Sequence, residues 1–184
     1  MKSVTYITGN IGKYENAKVF LGRYDVEVQQ QKLSLDEIQG DDAVAIAVRK
    51  AKDAYAQLGK PLFVNDASWL IPSLNGFPGP YMRYLVEWFT MDDLLTLMKS
   101  KSDRSIILRD TIVYIDETGE KVFTHDTHGT ILEAPAGEPR GPFVTQIFSL
   151  RKDGKSIAED TTVGFNEEES ALWDEFGSWI KAQD

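Results

Sequence analysis

Apolar and polar positions change period along this chain, and each change marks an element. Ser3 to Ile7 reads as a short strand, and Tyr14 to Leu21 as a helix with Ala17, Phe20 and Leu21 on one face. A second strand is predicted over Val26 to Gln30. Asp41 or Asp42 can cap a helix in which Ala43, Ala47, Lys50, Ala51, Ala54 and Leu58 recur at spacings of three and four. Lys50 lies within that stripe. The brief apolar run Pro61-Leu62-Phe63-Val64 then has the look of a buried strand that stops at Asn65-Asp66.

Beyond a turn-rich segment, two short helical patterns run from about Tyr81 to Phe89 and from Asp92 to Met98, and Thr90 with Asp93 makes a capping box for the second. The period then shortens to that of strands. These are predicted at Ile106 to Ile115, Lys121 to Thr124, Gly129 to Leu132 and Thr145 to Leu150, with a turn at Glu117-Thr118-Gly119-Glu120. Asn166 with Glu169 is expected to cap a last helix carrying Leu172, Trp173, Phe176 and Ile180. Alternation of strand and helix, followed by antiparallel-looking strands, predicts an α/β fold: one long twisted mixed β-sheet flanked by helices.

Composition narrows what such a fold can do. At 184 residues and 42% apolar content, with no low-complexity linker and no repeat, the expectation is a single domain over residues 1–184. Cysteine is absent, which removes disulfides, thiolate catalysis and cysteine-ligated zinc. The N-terminus runs directly into a strand-like segment, and no stretch of about 18 apolar residues occurs, so the expectation is a soluble cytoplasmic protein without a membrane partner. A formal charge of −9 disfavours nucleic acid, yet a few placed lysines, backbone amides and a cation can still hold a small phosphorylated ligand.

The segment Thr8-Gly9-Asn10-Ile11-Gly12-Lys13 stands between a strand and a helix. It presents glycine-freed amides, a hydroxyl, a carboxamide and an ammonium beside a helix N-terminus, which attracts anions. It is a phosphate cradle in outline but not a Walker loop, since the glycine spacing is wrong and Tyr14 follows the lysine. A tight turn with a solvated Lys13 is the competing reading. Glu37 and Asp66 are two acids that one sheet could bring together at the carboxyl ends of its strands, where they would suit magnesium. The alternatives are a solvated acidic loop for Glu37 and a cap for Asp66. Lys50 can either snorkel outward or turn inward to meet an anion. His125 and His128 lack a third partner and receive no role.

The segments "TGNIGK", "LDEIQG", "RKA" and "FVNDASWLIPSLNGFPGPYMRY", in this order and spacing, resemble the inosine triphosphate pyrophosphatase family, most clearly up to about Phe89. The resemblance implies a dimeric, magnesium-dependent enzyme that cleaves deaminated purine nucleoside triphosphates to monophosphate and pyrophosphate. It further implies that Thr8, Gly9, Asn10, Gly12 and Lys13 hold the phosphates, with Ala67 beside the substrate. Glu37 and Asp66 would bind Mg2+, Asp66 would also activate the attacking water, and Lys50 would approach the phosphates.

Three departures stand against that pattern. The strand end that usually carries two acids has Asn65-Asp66, and Ala67 replaces a small hydroxyl residue. Gly141-Pro142-Phe143-Val144-Thr145-Gln146 offers no acid where the family has a Gly-aromatic-Asp segment, and "FNEEESALWDEF" lacks a Ser-His-Arg sequence. Base recognition is therefore expected to differ, with Trp173 or Phe143 as candidate stacking partners and core packing as their alternative. Tyr84, Trp88 and Phe89 are expected at an interface or in the core. A non-catalytic nucleotide-binding or scaffolding protein on the same fold is the second reading of function.

Overall fold

The computed structural model describes residues 2–36, 38–160 and 167–183, the side chains of 167–169 excepted. Glu37 and the Asn166/Glu169 cap lie outside the described residues. The strands are β1 (Lys2–Ile7), β2 (Val26–Gln31), β3 (Leu62–Leu70), β4 (Pro78–Gly79), β5 (Ser105–Asp116), β6 (Gly119–Ile131) and β7 (Phe148–Ser149). Helices are α1 (Ile11–Gly22), α2 (Ala43–Leu58), α3 (Met82–Trp88), α4 (Met91–Met98) and α5 (Glu167–Ala182). The architecture is α/β with a mixed sheet. No helix among the described residues is long and apolar enough to cross a membrane.

Two compact units divide the chain: Met1–Asp66 with Asp110–His125 and Asn166–Asp184, and Ala67–Arg109 with Asp126–Phe165. In the first, the strands lie in the order β2-β1-β3-β5-β6. Strand β1 pairs in parallel with both β2, through Lys2 opposite Val26 to Ile7 opposite Gln31, and β3, through Thr5 opposite Leu62. Parallel strands are buried on both faces. Ile7, Leu62, Val64, Val113 and Ile115 meet Ala47, Ala51 and Ala54 of α2, whose small side chains let the helix lie close to the sheet. On the other face Tyr6 stacks on Phe63 at 4.4 Å between ring centroids, and Phe63 meets Trp173 and Phe176 of α5.

Helix α2 begins where Asp42 accepts hydrogen bonds from the amides of Val44 and Ala45, and ends at Gly59, whose φ of +59° is the left-handed conformation glycine adopts without penalty. The second unit gathers Ile71, Leu85, Leu94, Met98, Ile106, Ile131, Val144, Ile147 and Phe148 into its own core. The Thr90/Asp93 capping box forms as predicted. Arg104 reaches the carbonyls of Ile131 and Leu132 at 2.8 and 2.6 Å, tying β6 and the residue after it to the start of β5.

Four sequence expectations need correction. Strand β3 does not stop at Asn65-Asp66 but continues to Leu70, because Trp69 and Leu70 pair with Gly79 and Pro78 of β4. Helix α1 starts at Ile11, three residues before Tyr14, once Asn10 has capped it. The segments Lys121 to Thr124 and Gly129 to Leu132 fall, but for Leu132, in one thirteen-residue strand, β6 (Gly119–Ile131). In place of a strand over Thr145 to Leu150, a 3-10 turn at Phe143–Gln146 precedes the two-residue β7.

At Gly177 on α5 an added Cβ would collide with the Tyr24 ring, whose hydroxyl donates to Asp174 at 2.9 Å. Gly177→Ala is expected to cost roughly 1–3 kcal/mol through overpacking, lowering Tm by roughly 2–4 °C for each kcal/mol. Adding Tyr24→Ala should return part of that loss, as thermal denaturation of the single and double variants will show.

Candidate functional site

The loop after β1 is built by four hydrogen bonds. Thr8 Oγ1 accepts from the Asn10 amide at 3.1 Å, and Asn10 Oδ1 accepts from the Lys13 amide at 3.1 Å, so Asn10 is the N-cap of α1. Thr8 is itself tied to β2, its amide donating to Gln31 O at 3.1 Å and its carbonyl accepting from Gln30 Nε2 at 3.0 Å. At Gly12 a Cβ would stand 3.3 Å from Asn10 Oδ1 and press on the cap, whereas at Gly9 it would meet nothing within 4 Å. Bare backbone thus frames open space at the positive end of a helix.

Lys13 leaves the first turn of α1 and reaches across β1 to donate to Asn65 O at 3.1 Å. Burial lowers its pKa, against the opposing pull of the Asp66 and then the Asp110 carboxylates, and Lys50 lowers it further. An ammonium has three donors, so the bond to Asn65 leaves capacity for an anion. From α2, Lys50 Nζ lies 3.3 Å from Asp66 Oδ2 and 3.5 Å from Oδ1. The lysine on the apolar stripe therefore turns inward instead of snorkelling away. Asn65 Nδ2 donates to Thr111 O at 3.2 Å, which seats β3 against β5 at the level of the site.

Ile7, Thr8, Gly9, Asn10, Lys13, Leu33, Leu35, Lys50, Asn65 and Asp66 line one cavity of about 320 Å³ within the first unit. Of the predicted site residues, Thr8, Gly9, Asn10, Lys13, Lys50 and Asp66 come together there. Gly12 is the second residue of α1 and stands against the cap, while Ala67 is exposed and belongs to the second unit. Glu37 lies outside the described residues. Among the described residues no three His, Cys, Asp or Glu side chains form a cluster able to hold a metal ion.

Trp173 is not a base-stacking residue. It is buried in the first unit's core, stacked on Phe20 at 5.5 Å and set edge-on to Phe63. Phe143 packs on the second unit's apolar core. In that unit Phe89 also packs on the core, while Trp88 is 70% exposed with Tyr84 at 4.8 Å from it. Sequence reasoning missed two polar residues of this region. Asp110 bears on Lys13, and Tyr6 is wholly buried with its hydroxyl beside Thr8. The available signal was a carboxylate within β5 and a phenol within β1.

The Ham1 family model matches residues 4–167. This chain is a member of the Ham1 family. It is 38% identical over 157 residues to a dITP/XTP pyrophosphatase of Methanopyrus kandleri, covering 85% of this chain and 83% of the relative. To an inosine triphosphate pyrophosphatase of Candida glabrata it is 32% identical over 146 residues, covering 76% and 73%. A solved HAM1 protein from Coxiella burnetii has the same fold, with a TM-score of 0.80, 20% identity and full coverage of both chains.

The desolvated ammonium gives a prediction of opposite signs for binding and stability. Lys13→Met should weaken inosine triphosphate binding roughly 10- to 100-fold, the worth of a bond to a charged group, yet leave Tm at neutral pH unchanged or higher. Calorimetry with a parallel thermal melt checks both; a lower Tm with intact affinity would contradict this account of the loop.

Proposed function

We propose that this member of the Ham1 family is a nucleoside triphosphate pyrophosphatase acting on deaminated purine nucleotides, with magnesium, as a cytoplasmic homodimer. The observation that carries the reading is the convergence of the capped α1 N-terminus, Lys13, Lys50 and Asp66 on one cavity. The named activities of its relatives, dITP/XTP and inosine triphosphate pyrophosphatases, support the substrate class. The exposed Trp88 with Tyr84 beside it supports self-association, as large apolar side chains at a surface favour a partner.

On this reading the amides of the Thr8 to Lys13 loop and the two ammonium groups bind and orient the phosphates, stabilising charge that develops on their oxygens. Asp66, held by Lys50, takes a proton from a water positioned opposite the leaving group. The water oxygen bonds to the α-phosphorus, the bond from that phosphorus to the bridging oxygen breaks, and pyrophosphate departs from the monophosphate. The donor chemistry fits a hard cation, since Asp66 offers carboxylate oxygens and no thiol or imidazole lines the cavity among the described residues. Magnesium, held by Asp66 and Glu37 together with phosphate oxygens, would supply further charge neutralisation at the phosphates.

A second reading, a nucleotide binder without turnover, is favoured by the neutral Asn65 at the strand end and by the ion pair that occupies Asp66. Pyrophosphate release from inosine, xanthosine, adenosine and guanosine triphosphates, with magnesium and with a chelator, separates the two. Turnover of the deaminated purines above the others is expected with magnesium only. Asp66→Asn should lower kcat by about 10² to 10⁴-fold while leaving nucleotide binding measurable. Tight binding with no turnover by the unaltered protein would favour the second reading.

A further inference from the structure

Side-chain direction alternates along a strand, so shared faces can be read from contacts. Phe63 of β3 meets Phe176 of α5, and Asn65, two residues on, projects to the same face. Tyr6 of β1 stacks on Phe63 and lies on that face too. In β5, Tyr114 meets both Phe176 and Trp179, so Asp110, four residues earlier on the same uninterrupted strand, shares the face as well. Strands β3 and β5 are neighbours, and Asn65, whose carbonyl receives Lys13, also donates through Nδ2 to Thr111 O, the residue after Asp110 on β5.

We propose, resting on the pyrophosphatase reading above, that Asp110 is a positioning residue: it supplies from β5 the carboxylate that Asn65 lacks and orients the Lys13 ammonium toward the phosphates. Two further observations agree with that placement. Asp110 acts on both Lys13 and Tyr6, favouring the protonated form of each. The Tyr6 hydroxyl, fully buried beside Thr8, lies within electrostatic reach of Asp66 and Asp110.

The sign of one measurement separates positioning from bulk charge. If Asp110 were only a negative charge near the cradle, Asp110→Asn would strengthen attraction of the polyanionic substrate and lower KM. Positioning of Lys13 requires the reverse: KM for inosine triphosphate rises roughly tenfold, and kcat falls with it because the same ammonium stabilises charge developing on the phosphate oxygens. Asp110→Glu keeps the carboxylate on β5 and leaves the bond from Asn65 to Thr111 intact, so KM should stay within about threefold of wild type. Calorimetric titration of inosine triphosphate into both variants reads the same contact without turnover. A wild-type protein that binds but does not hydrolyse, with affinity still lost in Asp110→Asn and kept in Asp110→Glu, overturns the pyrophosphatase reading alone. An unchanged or lowered KM and Kd in Asp110→Asn, or an Asp110→Glu variant no better than Asp110→Asn, overturns the assignment of Asp110. A wild-type protein that binds no nucleotide overturns both.

Discussion

The Lys13 ammonium is half-buried at the carboxyl end of β1, in a position where lost hydration works against its charge. Such a group persists only where opposite charge and hydrogen-bond acceptors compensate its lost hydration. Here the compensation is distributed over separate elements: the Asn65 carbonyl from β3, the Asp66 carboxylate beyond it and Asp110 from β5. Each must arrive in register for the lysine to be tolerated. The parallel pairing of β1 with β3 and the Asn10 cap that starts α1 are therefore conditions of the site as much as of the fold.

The same constraint explains why the surroundings of the loop are so differently packed on the two faces of the sheet. Against α2 the contact layer is alanine, which brings the helix close enough for Lys50 to reach Asp66 at 3.3 Å. Against α1 and α5 it is aromatic, with Phe20, Phe63, Trp173 and Phe176 filling a thicker layer from whose edge Lys13 extends to the strand ends. Bulky side chains at Ala47 or Ala51 would lift α2 from the sheet and part Lys50 from its partner. Packing thus sets the distance at which the charges meet.

How much of this was legible in the sequence depended on whether local pattern and tertiary environment agreed. The alanine stripe, the Asp42 and Thr90 caps and the loop from Thr8 to Lys13 are local signals, and the structure forms them where the pattern put them. Asn65 and Asp66 read as a strand end because polar residues ordinarily close a buried run; the strand goes on because β4 offers a partner that no local pattern announces. Val144, Ile147 and Phe148 share one apolar core at spacings of three and four, a turn-like period hidden within a run that looks like a strand. In β6, Asp126 breaks the apolar pattern but is satisfied by a two-point bond from Arg109 at 2.7 and 2.6 Å, so the strand continues through it. Trp173 was ambiguous because an aromatic residue serves a core and a base equally well until its neighbours are known. Asp110 was missed for a related reason: its role depends on which residue stands beside it across the sheet.

Charge on the whole molecule completes the argument for how a substrate is accepted. With a formal charge of −9, the protein repels a bare polyanion, and within the cavity the two lysines already face the carboxylate of Asp66. The positive field available to a triphosphate is accordingly small and short-ranged, set by two ammonium groups and the backbone amides of one helix end. A nucleotide that arrives with a divalent cation carries less net negative charge and brings its own partner for Asp66, so the carboxylate changes from a repulsive neighbour to a ligand. On the proposed reading, preference for the cation-bound substrate would follow from electrostatic balance in the pocket, and residues that alter that balance, Asp110 among them, would adjust affinity through Lys13.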